Sequence, residues 1–100
     1  NLNTSTYRVE PIEDEIFRQT LGGKGLGTHL LLENNPKGVD PLSPDNRFII
    51  TLGPVSDTVI PGSSRYGIFT KSPLTEIYSE SYAGGHVADP MSRAGYDAII

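Results

Sequence analysis

Glycine and proline interrupt this chain so often that it can hold only short helices and strands. Eleven glycines and eight prolines fall within 100 residues, and the segments between them each carry one period. Thr6 to Glu10 alternates as a short strand. Pro11 then opens a helix with Glu13, Asp14 and Glu15 in its first turn and Ile12, Ile16 and Phe17 on its apolar face. Gly22-Gly23 ends it. "KGLGTHLLLEN" forms a second helix with Leu26, Leu30 and Leu31 inward, stopped by Asn34-Asn35-Pro36. "KGVDPLSPDN" is turn chemistry throughout, and "RFIITLG" suits a strand buried on both faces. Arg65 to Thr70 and Ile77 to Tyr82 read as a hairpin joined at Ser72-Pro73. Asp89 is the expected N-cap of a short helix with Pro90 at its first position and Gly95 closing it. A last strand starts at Tyr96.

Helices and strands therefore mix without strict alternation, which predicts an α+β fold: a small mixed sheet of about four to six strands with two to three helices. Periodicity assigns the core to Phe48, Ile49, Ile50, Leu52, Leu26, Leu30, Leu31, Ile16 and Phe17. At 36% hydrophobic and 20% charged the chain is globular in composition. With no cysteine it holds no disulfide and no thiolate-bound cluster or zinc. No apolar run approaches the length of a membrane span and no signal-peptide pattern opens the chain, so the expected setting is soluble and cytoplasmic, with no membrane partner. A net charge of -4 argues equally against a nucleic-acid partner. The polar start and the apolar "GYDAII" end predict a fragment that continues beyond residue 100.

Two apparent motifs carry no chemistry. "LGGKGLGT" lacks the Ser or Thr after Lys24 that a phosphate-binding loop needs, and its glycines do not fit the dinucleotide fingerprint. It reads as a closely packed helix-to-helix turn, and Lys24 receives no role. His29 and His86 stand in no ligand-spaced cluster, and His29 belongs on or beside a leucine face.

One segment departs from the acidic average. Residues 58 to 75 contain Arg65 and Lys71 and neither Asp nor Glu. In a strand starting at Arg65, Gly67 and Phe69 share the arginine's face, and Gly67 leaves room beside the guanidinium for a ligand to approach. After the next strand, Gly84-Gly85 turns the chain toward a helix start with unhindered N–H groups that suit an anion. Glu80 and Asp89 nearby would repel a bare phosphate. An edge hairpin with exposed cations, in a stand-alone anion- or partner-binding α+β module without redox activity, is the alternative.

"DPLSPDN", "SRYGIFTKSPLT" and "AGYDAII", in this order and spacing, resemble the N-terminal domain of the tungsten-containing aldehyde ferredoxin oxidoreductases, from about Tyr7 to the end of the chain. The resemblance implies that residues 1–100 are the N-terminal part of a tungsten-pterin-binding domain. It implies a tungsten (or molybdenum) bis-pyranopterin and magnesium in the full-length protein, with an iron-sulfur cluster bound outside this chain. Aldehydes would be oxidised to carboxylic acids, with ferredoxin as electron acceptor. The partners would be ferredoxin and the remaining domains of the same polypeptide. The 100-residue piece alone would be inactive and carry none of these groups. Arg65 stands where the family's cofactor-contacting arginine stands, and the backbone of Tyr82, Ala83, Gly84 and Gly85 where its cofactor-facing turn lies. The magnesium contact falls on the Tyr82 carbonyl. This chain departs from the pattern in having Tyr82 where many relatives have Asn, and Ser63-Ser64 where glycine is frequent.

Overall fold

A computed structural model describes residues 1–100. Its elements are helix α1 (Asp14–Thr20), helix α2 (Gly23–Asn34), strands β1 (Ile49–Leu52), β2 (Tyr66–Lys71) and β3 (Tyr78–Ala83), helix α3 (Ala88–Arg93) and strand β4 (Ala98–Ile99). The four strands form one sheet in the order β3-β2-β1-β4. The α+β class, the helix count and the strand count agree with the sequence. The mixed sheet does not: every pairing is antiparallel. Each connection re-enters the sheet at the end where the preceding strand left it, and only a full-length crossover would yield a parallel pair.

The registers Ile49↔Phe69↔Glu80 and Thr51↔Gly67↔Tyr82 place these residues on one sheet face. Helix α2 covers that face with Leu26 and Leu31, and Ile49, Thr51 and Phe69 beneath it are buried. Thr51 also donates from Oγ1 to the Gly23 carbonyl at 2.8 Å, so the one buried polar side chain is satisfied. On the opposite face, Ala88 and Met91 of α3 pack with Leu52, Ile50 and Tyr66.

Phe69 is the centre of the first layer, and two glycines make its slot. A Cβ on Gly27 would stand 2.2 Å from the Phe69 ring, and one on Gly67 would stand 2.6 Å from it. Gly67 therefore does not leave room for a ligand, as its sequence position suggests. The Phe69 ring fills that space, with Tyr82 edge-on to it at 6.0 Å and 83°. The remaining glycines of the "LGGKGLGT" turn bear out close packing. A Cβ on Gly25 would meet the Thr20 carbonyl oxygen at 2.4 Å, and Gly22 has φ +97°.

Phe48 is 56% exposed and lies outside the core. It shares the parity of Ile50 and Leu52, but α3 covers only the Leu52 end of that face. Ile16, Phe17 and Leu30 are half-buried, and α1 contains no buried residue. Thr6 to Glu10 forms no strand. This segment and the chain around β4 line a cleft of about 330 Å³ with Val9, Pro11, Tyr96 and Ala98, and no ladder joins them. The N-cap of α3 is Val87, without a side-chain bond, and Asp89 falls in the first turn. Pro90 is tolerated two positions further in than expected because first-turn amides have no intrahelical acceptor to lose. Gly95, at φ +82°, closes the helix as expected.

The turn-rich segment before β1 is organised by one side chain. Asn46 Nδ2 donates to the Pro41 carbonyl, to Thr70 Oγ1 and to the Lys71 carbonyl, at 2.9, 3.2 and 3.0 Å. Its Oδ1 accepts from Asn35 Nδ2 at 3.0 Å. The loop is thus fastened to the far end of β2.

Candidate functional site

The β2–β3 hairpin brings the sequence-nominated residues together at its open end. Tyr66, the first residue of β2, pairs with Ala83, the last of β3. Arg65 and Gly84 are therefore neighbours just outside the ladder. Ser64 Oγ donates to the Gly85 carbonyl at 2.7 Å, across 21 residues of sequence, and holds the two segments together. A Cβ on Gly84 would lie 3.5 Å from the Ser64 carbonyl oxygen, and Gly85 has φ +101°. The second of these is the position only glycine occupies without strain.

Hydrogen-bond alternation fixes where the backbone of β3 points. Ser72 N–H donates to the Ile77 carbonyl at 2.9 Å, so from the register the bonded pairs are Thr70↔Ser79, Ile68↔Ser81 and Tyr66↔Ala83. Gly67↔Tyr82 is a non-bonded pair. Because β3 is an edge of the sheet, the Tyr82 carbonyl faces outward, away from β2. The amides of Gly84 and Gly85 likewise donate to no protein acceptor. The open end thus presents one outward carbonyl, two unpaired amides and the exposed Arg65. The Arg65 guanidinium makes no ion pair within the chain, whereas its backbone is held by N–H to the Ser63 carbonyl at 2.8 Å and by Ser56 Oγ on its own carbonyl at 3.2 Å.

The surrounding charges are arranged differently from the sequence expectation. Lys71 lies at the other end of β2, about 20 Å away at the usual strand rise, and its ammonium donates to the Val39 carbonyl. Glu80 is paired with Lys24, Nζ to Oε1 at 2.8 Å. That contact and the hydrogen bond from Tyr78 hold its carboxyl below the usual carboxylate range, and the same pairing raises Lys24. Glu80 faces α2 and does not repel an anion at the open end with a free charge. Asp57, the acid just before the acid-free segment, is clamped by Arg93 at 2.7 to 3.0 Å and is lowered by it. Asp89 alone among these acids keeps a buried oxygen, Oδ1, without a donor.

Ser64, Lys24 and Glu80 are the contributors that sequence reading missed. Their partners lie 21 and 56 residues away, and no local period reports them.

The sequence matches the family described as "Aldehyde ferredoxin oxidoreductase, N-terminal domain" over residues 1–100. The chain belongs to this family. It is 42% identical over 100 residues to the tungsten-containing aldehyde ferredoxin oxidoreductase of Pyrococcus furiosus, and 39% identical to that of Thermococcus kodakarensis. In both comparisons the whole chain is covered but only 16% of the relative. The aliphatic sulfonate oxidoreductase, WOR-like subunit, of Pyrococcus furiosus is 32% identical over 105 residues. Among solved structures, the active site complex BamBC of benzoyl coenzyme A reductase, in complex with 1,5-dienoyl-CoA, superimposes with a TM-score of 0.83 at 32% identity. That match covers 87% of this chain and 13% of the other. The chain thus spans about one-sixth of the length of these relatives, and the hairpin end described above lies within that part.

Proposed function

We propose that residues 1–100 form part of the floor of a tungsten bis-pyranopterin site in a longer, cytoplasmic polypeptide. Arg65, the Tyr82 carbonyl and the backbone of Ala83, Gly84 and Gly85 face the cofactor. The observation that carries this reading is the 2.7 Å bond from Ser64 to Gly85, which joins the loop of an unpaired guanidinium to an unhindered glycine turn.

The donor set fits such a group. A planar guanidinium matches phosphate oxygens with two parallel hydrogen bonds, and the amides of Gly84 and Gly85 add donors beside it. The outward Tyr82 carbonyl is a hard oxygen of the kind magnesium takes. Its use through the backbone explains how a bulky side chain is compatible with that role: the Tyr82 ring is turned onto Phe69 and away from the carbonyl. Asp89 Oδ1 is a buried acceptor without a donor, and pterin N–H groups and magnesium-bound water are both donors.

When bound, the cofactor supplies the two-electron chemistry, and this chain supplies anchoring and charge balance. In the full-length protein an aldehyde and water become a carboxylic acid, two protons and two electrons, and ferredoxin accepts the electrons. The aldehyde in this reading is supported by relatives at 37–42% identity whose names carry it. The chain contains no cysteine, so a cysteine-held iron-sulfur cluster on the electron path belongs to the remaining domains.

The test is a crystal structure of the full-length, cofactor-loaded protein. The reading requires pterin phosphate oxygens within hydrogen-bond distance of Arg65 and of the Gly84 or Gly85 amide. An Arg65 side chain in solvent with the cofactor bound elsewhere would refute it.

A further inference from the structure

Strand β3 carries the backbone of the proposed floor, yet the hydrocarbon anchorage of its side chains is confined to the Tyr78 and Tyr82 rings against Phe69. Its sequence is YSESYA, and no residue in it is fully buried. It is also an edge strand, so only β2 holds it through the ladder. What ties it to helix α2 is polar. Glu80 uses both carboxylate oxygens: Oε1 accepts from Lys24 Nζ at 2.8 Å, and Oε2 accepts from Tyr78 Oη–H at 2.7 Å. Tyr78 Oη is in turn 2.9 Å from Thr28 Oγ1. Lys24 and Thr28 are one turn apart on α2, so they form a single row on the helix. The carboxylate is therefore fastened to α2 at two heights, directly and through Tyr78. Its side chain is only 28% exposed although it stands on an edge strand.

We propose that Glu80 is a positioning residue for the cofactor floor: held by Lys24 and Tyr78, it fixes β3 against α2 and so sets the Tyr82 carbonyl and the Gly84-Gly85 turn. Two links support this. Glu80 lies two residues before Tyr82, and a strand residue cannot rotate or slide without moving its neighbours by a comparable amount. The far side of the same turn is held independently by Ser64 on Gly85, so the floor is braced at both of its ends. The inference gives Lys24 a function in the glycine-rich turn that a phosphate-loop reading does not, and it rests on the cofactor-floor assignment.

The experiment uses full-length protein with Glu80→Gln, which keeps the shape and removes the charge, and Lys24→Met, which removes the same tether without touching β3. Amide exchange is read at Ser79, Ser81 and Ala83, whose N–H groups face β2, together with the global unfolding midpoint. Tungsten and pterin content are followed during dialysis. Both variants should exchange about threefold faster at these amides, the scale of one exposed ion-pair network, at an unchanged global midpoint. Both should also lose tungsten and pterin faster than wild type, and Lys24→Arg should restore wild-type behaviour. Unchanged exchange at the three amides in both variants would overturn the tether whatever the cofactor does. Faster exchange with unchanged cofactor loss would overturn the positioning role, and Arg65→Ala measured in parallel separates that result from failure of the floor assignment itself, because then Arg65→Ala would leave retention unchanged too.

Discussion

Ser64 and Gly85 lie 21 residues apart in sequence and are joined by a 2.7 Å hydrogen bond from the serine hydroxyl to the glycine carbonyl. The chain thus uses a side chain to clamp the turn. The serine therefore adds rigidity to the open end of the hairpin.

Ser64→Ala should leave the fold intact and loosen the turn. A neutral hydrogen bond is worth about 0.5–1.5 kcal/mol net, so retention of tungsten and pterin by the full-length variant should weaken by roughly twofold to tenfold. Metal analysis after dialysis reads the effect, and circular dichroism checks the fold.

Gly27→Ala and Gly67→Ala should each destabilise the domain by about 1–3 kcal/mol through overpacking. A methyl group at either position meets the Phe69 ring, at 2.2 and 2.6 Å, and the ring is fully buried. Gly53→Ala is the control, because its nearest neighbour would be Ser56 Oγ at 3.9 Å. Urea unfolding of residues 1–100 carrying each change ranks the three, and equal midpoints for Gly27→Ala and Gly53→Ala would contradict the slot.

The stability of residues 1–100 should fall on both the acid and the alkaline side. Glu80 and Asp57 have folded values lowered by Lys24 and Arg93, so their contribution is present above the unfolded values, 4.5 and 3.8, and is lost as pH falls through the lower folded values. Lys24 is raised by Glu80, and Tyr78 is raised chiefly by burial. Their contributions are present below 10.5 and 10.0 and are lost as pH rises through the higher folded values. Both pairs are exposed, so the changes are small. Thermal unfolding across pH reads them, and Glu80→Gln should flatten part of the acid limb.

The 100 residues expressed alone should not reduce a viologen dye with an aldehyde. Without cysteine they hold no thiolate-bound cluster, and Arg65 with one hairpin end offers only one wall of a cofactor cavity. Dye reduction by a pure preparation would contradict the assignment as a floor.

Much of the fold was legible because glycine and proline delimit each element, and the order of elements followed. Arg65, Gly84 and Gly85 were also nominated from the hairpin and its Gly-Gly exit, Tyr82 and Ala83 from the family resemblance, and all five lie at one end of β2 and β3. The errors about burial and pairing share one cause, which is that both depend on what covers a face and not on the strand's own period. Phe48 continues the apolar run yet lies beyond the reach of α3. Phe69 looked like part of an open binding face because Gly27, the residue that admits its ring, is 42 positions earlier on another element. Lys24 and Glu80 were read separately, one as part of a failed motif and the other as a repelling charge, and only the packing of α2 on β3 makes them a pair.

The most direct measurement is the tungsten and pterin content of full-length Arg65→Ala after extensive dialysis, beside wild type. A charge-assisted contact is worth about 1.5–3 kcal/mol, so retention should weaken by roughly tenfold to a hundredfold while the variant folds normally. Equal tungsten and pterin in the two proteins would remove Arg65 from the cofactor site and leave it as an exposed residue at the end of a hairpin.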